Sequence, residues 1–150
     1  MSCFVDVDHA GCREIWRSHS GILNFMNRAP IMWFSKRKNT VETSTCGSEL
    51  LAMRLAIEMI KALRYKLRMM GVPITEECAV LCDNSAVVTN SRPESTLKTE
   101  HAAINFRRVQ EAIAAGTIRV AEEGTQTNLA DILTKFMPGS KMKELLIHIL

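Results

Sequence analysis

Between Thr45 and Met70 the apolar residues Ala52, Met53, Ala56, Ile60, Leu63, Leu67 and Met70 recur at steps of three and four, while Arg54, Glu58, Lys61, Tyr65 and Arg68 take the other side. That period predicts a long amphipathic helix, and Gly71 and Pro73 stop it. Upstream the pattern shortens. Residues 3 to 8 read as a strand that ends in acid, with His9-Ala10-Gly11 as a turn. Ser20 to Asn27 and Ile31 to Ser35 read as two further strands, joined through Asn27-Arg28-Ala29-Pro30. Downstream, Cys78 to Cys82 is a buried strand, and a helix starts at about Ala86. Ser91 to Glu94 forms a loop, and Leu97 to Ala115 a long helix with Ala102, Phe106, Val109 and Ile113 on one face. After Gly116 come a short strand, Thr117 to Ala121, and a polar loop, Glu122 to Thr127. Asn128 to Phe136 is expected to be helical with Leu129, Ile132, Leu133 and Phe136 packed inward. Pro138-Gly139 breaks it, and Lys141 to Leu150 is an amphipathic tail. Three strands, a long helix, a strand, two helices, a strand and a terminal helix make an α/β domain, antiparallel at its start and parallel in its continuation.

Composition narrows the class. At 150 residues, 47% hydrophobic and 23% charged, the chain is one globular domain with room for a real core. Aromatics are only 5% and methionines number nine, so that core is aliphatic with flexible filler. No run approaches the roughly 20 apolar residues of a membrane span, and the first residues lack a secretory signal, so a soluble intracellular protein is expected. Five cysteines without a Cys-x-x-Cys point to buried free thiols. His9 and Cys12, with His19 nearby, have a zinc-like gap but no second pair. The net charge of +3 says little, whereas Lys36-Arg37-Lys38 and Arg107-Arg108 are local clusters: solvated faces, or phosphate contacts if a metal site lies beside them.

The acids change the picture. The four aspartates are Asp6, Asp8, Asp83 and Asp131, and Asp6, Asp83 and Asp131 fall where apolar elements begin or end. Projecting the helical stripe back at about 100° per residue puts Glu49 on the core-facing side. A capping role for Glu49 is incomplete, because the residue three earlier is Cys46, although a first-turn acid still gains from the helix dipole. Asp83 reads equally as a helix N-cap or as a strand-end site residue. Four crowded carboxylates make sense chiefly around a cation, and Mg2+ prefers such hard oxygen ligands. Two Mg2+ ions roughly 4 Å apart activate water and stabilise a leaving oxyanion, the chemistry of a phosphodiesterase.

The chain resembles the ribonuclease H domain of copia-type LTR retrotransposon polyproteins. Val5-Asp6-Val7-Asp8-His9-Ala10-Gly11, Arg17-Ser18-His19-Ser20-Gly21, Ala29-Pro30-Ile31, Trp33-Phe34-Ser35-Lys36-Arg37, the stretch from Thr40 to Glu49, Cys82-Asp83-Asn84 and Asn128 to Lys135 carry the likeness, in order and nearly end to end. It implies a five-stranded mixed sheet flanked by helices over residues 1–138, with 139–150 as a helical tail. The implied activity is cleavage of the RNA strand of RNA/DNA hybrids with two Mg2+ ions, for which Mn2+ can substitute. Asp6, Glu49, Asp83 and Asp131 would be both catalytic residues and metal ligands. Asp8 is left outside that set, its side chain expected on the opposite strand face. Lys36, Arg37, Asn84, Ser85, His101 and Arg108 would contact nucleic acid, some through the 2′-hydroxyls of the wide minor groove.

Departures from the pattern are His9 where many relatives carry Trp, Gly47 where many carry Glu, and Glu100 where Lys is common. The loop before Asp131 has no histidine, and no basic protrusion is apparent. Hybrid affinity would then draw on an upstream reverse transcriptase of the same polyprotein. The rival readings are a non-catalytic or domesticated remnant that binds nucleic acid without cutting, and an integrase-like nuclease, against which Glu49 on the first long helix speaks.

Overall fold

A computed structural model describes residues 1–8, 17–39, 44–91 and 103–150. Its sheet comprises β1 (Ser2–Asp8), β2 (His19–Met26), β3 (Ala29–Arg37), β4 (Cys78–Cys82) and β5 (Ile118–Glu122), in the spatial order β3-β2-β1-β4-β5. The first three strands pair antiparallel, and β4 and β5 add in parallel. The helices are α1 (Thr45–Met69), α2 (Ser85–Asn90), α3 (Ala103–Ala114) and α4 (Gly139–Leu146), with a 3-10 helix over Leu129–Leu133. This is the mixed five-stranded architecture expected from the sequence. The zinc-like His9–Cys12 pair, His101 and the loop from Arg92 lie outside the described residues.

Period-two alternation splits the core into two layers. Cys3, Val5 and Val7 of β1, with Ile22, Val80 and Ile118, face α1 and α3 and meet Leu50, Met53, Ile57, Ile60, Phe106 and Val109. Leu23 and Phe25 face the other way and pack with Leu129 and Leu145, while Phe4, Ile132, Leu133 and Met137 border them. The rings of Phe4 and Phe25 meet edge to face at 5.8 Å. Leu145 thereby anchors α4 to the sheet. Cys3, Cys78 and Cys82 are buried free thiols, and burial is the main cause that pushes Cys82 up to about 12.

Three of the element boundaries that differ from expectation have a clear local reason. The 27–30 connection is tighter than predicted: Asn27, at φ 56°, turns the chain, and β3 already begins at Ala29. Pro30 is tolerated inside β3 because that strand is the sheet edge and its register shifts there. Met70 is exposed, because α1 ends one residue earlier in a Schellman turn: Gly71 at φ 77° donates to Arg68 O, and Val72 N donates to Leu67 O. Phe136 is fully exposed, since the 128–136 segment winds as a short 3-10 helix and leaves it at Thr134. At three residues per turn Leu129 and Ile132 stay on one side, and Met137, instead of Phe136, reaches the second core.

Gly21 is where the 3-10 segment touches the sheet. A Cβ there would lie 2.7 Å from Thr134 Cγ2 and 2.9 Å from both Ala130 O and Leu133 Cβ. Its register partner on β1 is Asp6, so the bare backbone lets the 129–135 segment come down beside that acid. Gly21→Ala is expected to cost about 1–3 kcal/mol of unfolding free energy in urea denaturation, through overpacking against backbone. An unchanged midpoint would mean that the segment simply shifts aside.

Candidate active site

Asp6 is nearly fully buried on β1, and the β1–β4 register pairs Ser2 with Ala79 and Phe4 with Leu81. Continuing that register by two places sets Asp6 beside Asp83, at the carboxyl end of β4. Asp83 does not cap α2. Asn84 does, its Oδ1 accepting from Ala86 N at 3.1 Å and Val87 N at 3.3 Å, which leaves the Asp83 carboxylate uncommitted to the helix.

Asp131 arrives from the opposite end of the chain. Asn128, wholly buried, caps the 3-10 helix by accepting from Ala130 N (3.1 Å), while its Nδ2 donates to Val5 O on β1 (3.0 Å). At the far end of that helix Ser35 Oγ donates to Leu133 O (2.8 Å) and lies 2.9 Å from His19 Nε2. The segment is therefore held to β1, β2 and β3 at once. As a result Asp6, Asp83 and Asp131 each offer a carboxylate oxygen within 4.8 Å of the others.

Glu49 approaches from α1. Ser44 is the N-cap, accepting from Gly47 N at 3.0 Å, so Glu49 is the fifth helical residue and takes no part in capping. It is 6% exposed, and among the described residues its Oε2 has no hydrogen-bond partner. Burial, then the charges of Asp6 and Asp83, push it up to about 8, although Lys38 and Lys135 pull the other way. Lys38 is itself buried, donating to Ser48 O at 2.7 Å, so it does not belong to a solvated patch with Lys36 and Arg37. Glu49 stands close enough to feel the aspartates while lying outside their three-oxygen group.

Thr134 and Lys135 complete the cluster. Thr134 Oγ1 donates to Asp6 Oδ2, and Lys135 Nζ donates to Asp6 Oδ1 (3.0 Å) and Asp131 Oδ1 (2.8 Å), with Asp83 Oδ2 at 3.9 Å. Burial alone would lower the Lys135 ammonium, but the hydrogen bond to Asp131 and the charge of Asp6 outweigh it and hold it above its usual range. Burial raises Asp131, against the hydrogen bond from Lys135. Neither Asn128, Thr134 nor Lys135 was singled out for a role from the sequence. The Asp131–Lys135 spacing of four, a common acid–base pairing distance, was the available signal.

Asp8 needs a correction. It has the same parity as Asp6 on β1, so alternation puts both on one strand face, not on opposite faces. Asp8 lies two residues further along, half-buried opposite His19, and is not among the three converging acids. Of the expected nucleic-acid contacts, Asn84 and Ser85 adjoin Asp83. Lys36 and Arg37 are exposed on β3, opposite Ser20 and His19, at the sheet end that carries Asp8. Arg108 is on α3, paired with Glu111 at 3.0 Å.

The fold is that of ribonuclease H. LC11-RNase H1, solved in complex with an RNA/DNA hybrid, superposes with a TM-score of 0.70 at 14% identity over 89% of this chain and 92% of that one. RNase H1 from Halobacterium salinarum gives 0.65 at 12% identity over 95% and 97%. No family model matches the chain. In sequence it is homologous to copia-type retrotransposon Pol polyproteins: transposon RE1 of Arabidopsis thaliana (26% identity over 136 residues, 90% of this chain) and transposon TNT 1-94 of Nicotiana tabacum (28% over 142, 93% of this chain). The chain spans 9% and 10% of the length of those relatives. Among the described residues no helix is long and apolar enough to cross a membrane.

The raised Glu49 carboxyl has a consequence for stability. The folded state keeps this proton up to about pH 8, whereas an unfolded glutamate releases it near 4.5, so the folded state holds the extra proton between those values. The stabilisation is complete below about 4.5 and declines as pH rises toward 8, by up to about 1.4 kcal/mol per unit. In chelator-treated protein, urea unfolding from pH 5 to 8 is expected to show this fall, and Glu49→Gln to flatten it. Parallel profiles for the two proteins would mean that Glu49 is ionised at neutral pH.

Proposed function

We propose that this chain is a metal-dependent endonuclease that hydrolyses the RNA strand of RNA/DNA hybrids, as one unit of a retrotransposon Pol polyprotein. The observation that carries the reading is the convergence of Asp6, Asp83 and Asp131 within 4.8 Å on a ribonuclease H fold. The donor set suits a hard divalent cation: every candidate ligand is a carboxylate, and the buried Glu49 Oε2 has no hydrogen bond among the described residues. Asp6, Asp83, Asp131 and Glu49 are the residues that would hold two Mg2+ ions, or Mn2+ in their place. When bound, such a pair activates a water and stabilises the leaving oxyanion.

The remaining work falls to the chain's own groups. Asp6 on β1 and Asp83, just past the end of the adjacent β4, form the rigid centre. Glu49, from a helix packed on the opposite core, orients the water or the 2′-hydroxyl side of the scissile nucleotide. Asp131, on a segment tied down by Asn128 and Ser35, closes the third side. The Asn84 oxygen is spent on its helix, so its amide nitrogen and the Ser85 hydroxyl are the donors left for a 2′-hydroxyl. Lys36 and Arg37, exposed at the same end of the sheet, are suited to backbone phosphates. The relatives' greater length supports a linked upstream reverse transcriptase as the partner that supplies hybrid affinity.

Labelled RNA/DNA hybrid incubated with the protein and Mg2+ is expected to be cut in the RNA strand alone, with duplex DNA left intact. Asp83→Asn should lower the rate by more than about 100-fold, since even outer-shell partners of a metal contribute 10–100-fold. Hybrid that is bound but uncut at high protein concentration would establish the non-catalytic remnant instead.

A further inference from the structure

We propose that Lys135 is the exchangeable resident cation of this site: its ammonium partly offsets the carboxylate charge when no metal is bound, must swing out for metal to enter, and so sets the affinity for divalent ions. The inference rests on reading the carboxylate cluster as a cation site. It goes further by giving a lysine control over loading.

Three observations carry it. First, the ammonium sits among the acids, at 3.0 Å from Asp6, 2.8 Å from Asp131 and 3.9 Å from Asp83. These are the same three residues whose oxygens converge, so nitrogen and metal compete for one place. Second, a single positive charge under-compensates the cluster. The three aspartate side chains are 1%, 15% and 12% exposed, and Glu49 stands behind them with an oxygen unbonded among the described residues. A divalent ion offers twice the charge and accepts the shorter oxygen contacts that an ammonium cannot make. Third, Lys135 has a way out. Its side chain is 33% exposed, and it belongs to the irregular stretch between the 3-10 helix and α4. Thr134 stays behind on Asp6 and keeps that carboxylate aimed while Lys135 departs.

Isothermal titration of Mn2+ and Mg2+ into wild type, Lys135→Met, Lys135→Arg and Asp83→Asn tests the idea without reference to cleavage. Removing the competing charge is expected to tighten metal binding by about tenfold or more in Lys135→Met, while Lys135→Arg stays near wild type. Binding to Lys135→Met that is equal to or weaker than wild type overturns the proposal while leaving the cation site intact. An absence of binding in every protein overturns the cation site itself, and the proposal with it.

A second readout needs only the wild-type fold. The Lys135 εCH2 resonance in a proton–carbon correlation spectrum, assigned by its loss in Lys135→Arg, is expected to move to the position of exposed lysines as Mg2+ is added. A resonance that stays in place at saturating Mg2+ refutes displacement.

Discussion

Like charges gathered in a partly desolvated place repel, and that repulsion governs this structure. Asp6, Asp83 and Asp131 come within 4.8 Å of one another, with Glu49 buried behind them. Water cannot screen such a group well, so the charge must be neutralised by protons, by an ammonium or by a metal. The first two are visible in the chain's chemistry: Glu49 is pushed toward its protonated form, and Lys135 lies between carboxylates. Stability and the cluster's attraction for a cation thus depend on one set of charges.

A cluster of this kind persists only if the scaffold is stiff enough to hold it together. Two adjacent strands supply the first pair of acids through sheet register. The third needs a device, because a short 3-10 helix has few intrinsic constraints. Asn128 provides it, one side chain capping the helix and reaching β1 at the same time. Gly21 removes the atom that would keep the helix off the sheet, and Ser35 ties its far end to the edge strand. The buried Asn128 side chain is satisfied by backbone groups on both sides, which is why its burial is tolerated. The second apolar core, with Leu129 beside Leu23, Phe25 and Leu145, presses the same segment down from outside.

Much of this was legible along the chain, for reasons that can be named. The stripe from Ala52 to Leu67 and the alternation of Cys3, Val5 and Val7 are direct products of helix and strand geometry, and they survive in the fold. Element ends were less faithful. Met70 and Phe136 are apolar residues in phase with their stripes, yet both are exposed, because a Schellman turn and a 3-10 segment ended the helical phase before them. Asp83 was ambiguous while Asn84 was its neighbour, since either can cap a helix, and only the hydrogen bonds separated the two.

The sequence by itself determined the order of strands and helices, the main apolar stripe of α1 and the four acids worth watching, because those depend on spacing within a few residues. What brought the acids together was decided by tertiary structure. Asp6 and Asp131 are far apart along the chain and meet through sheet order and one buried asparagine. Lys135 entered their midst by the same route, and no local period encodes an encounter between segments that distant. The free energy of a charge depends on what surrounds it in space, and only the folded chain defines those surroundings.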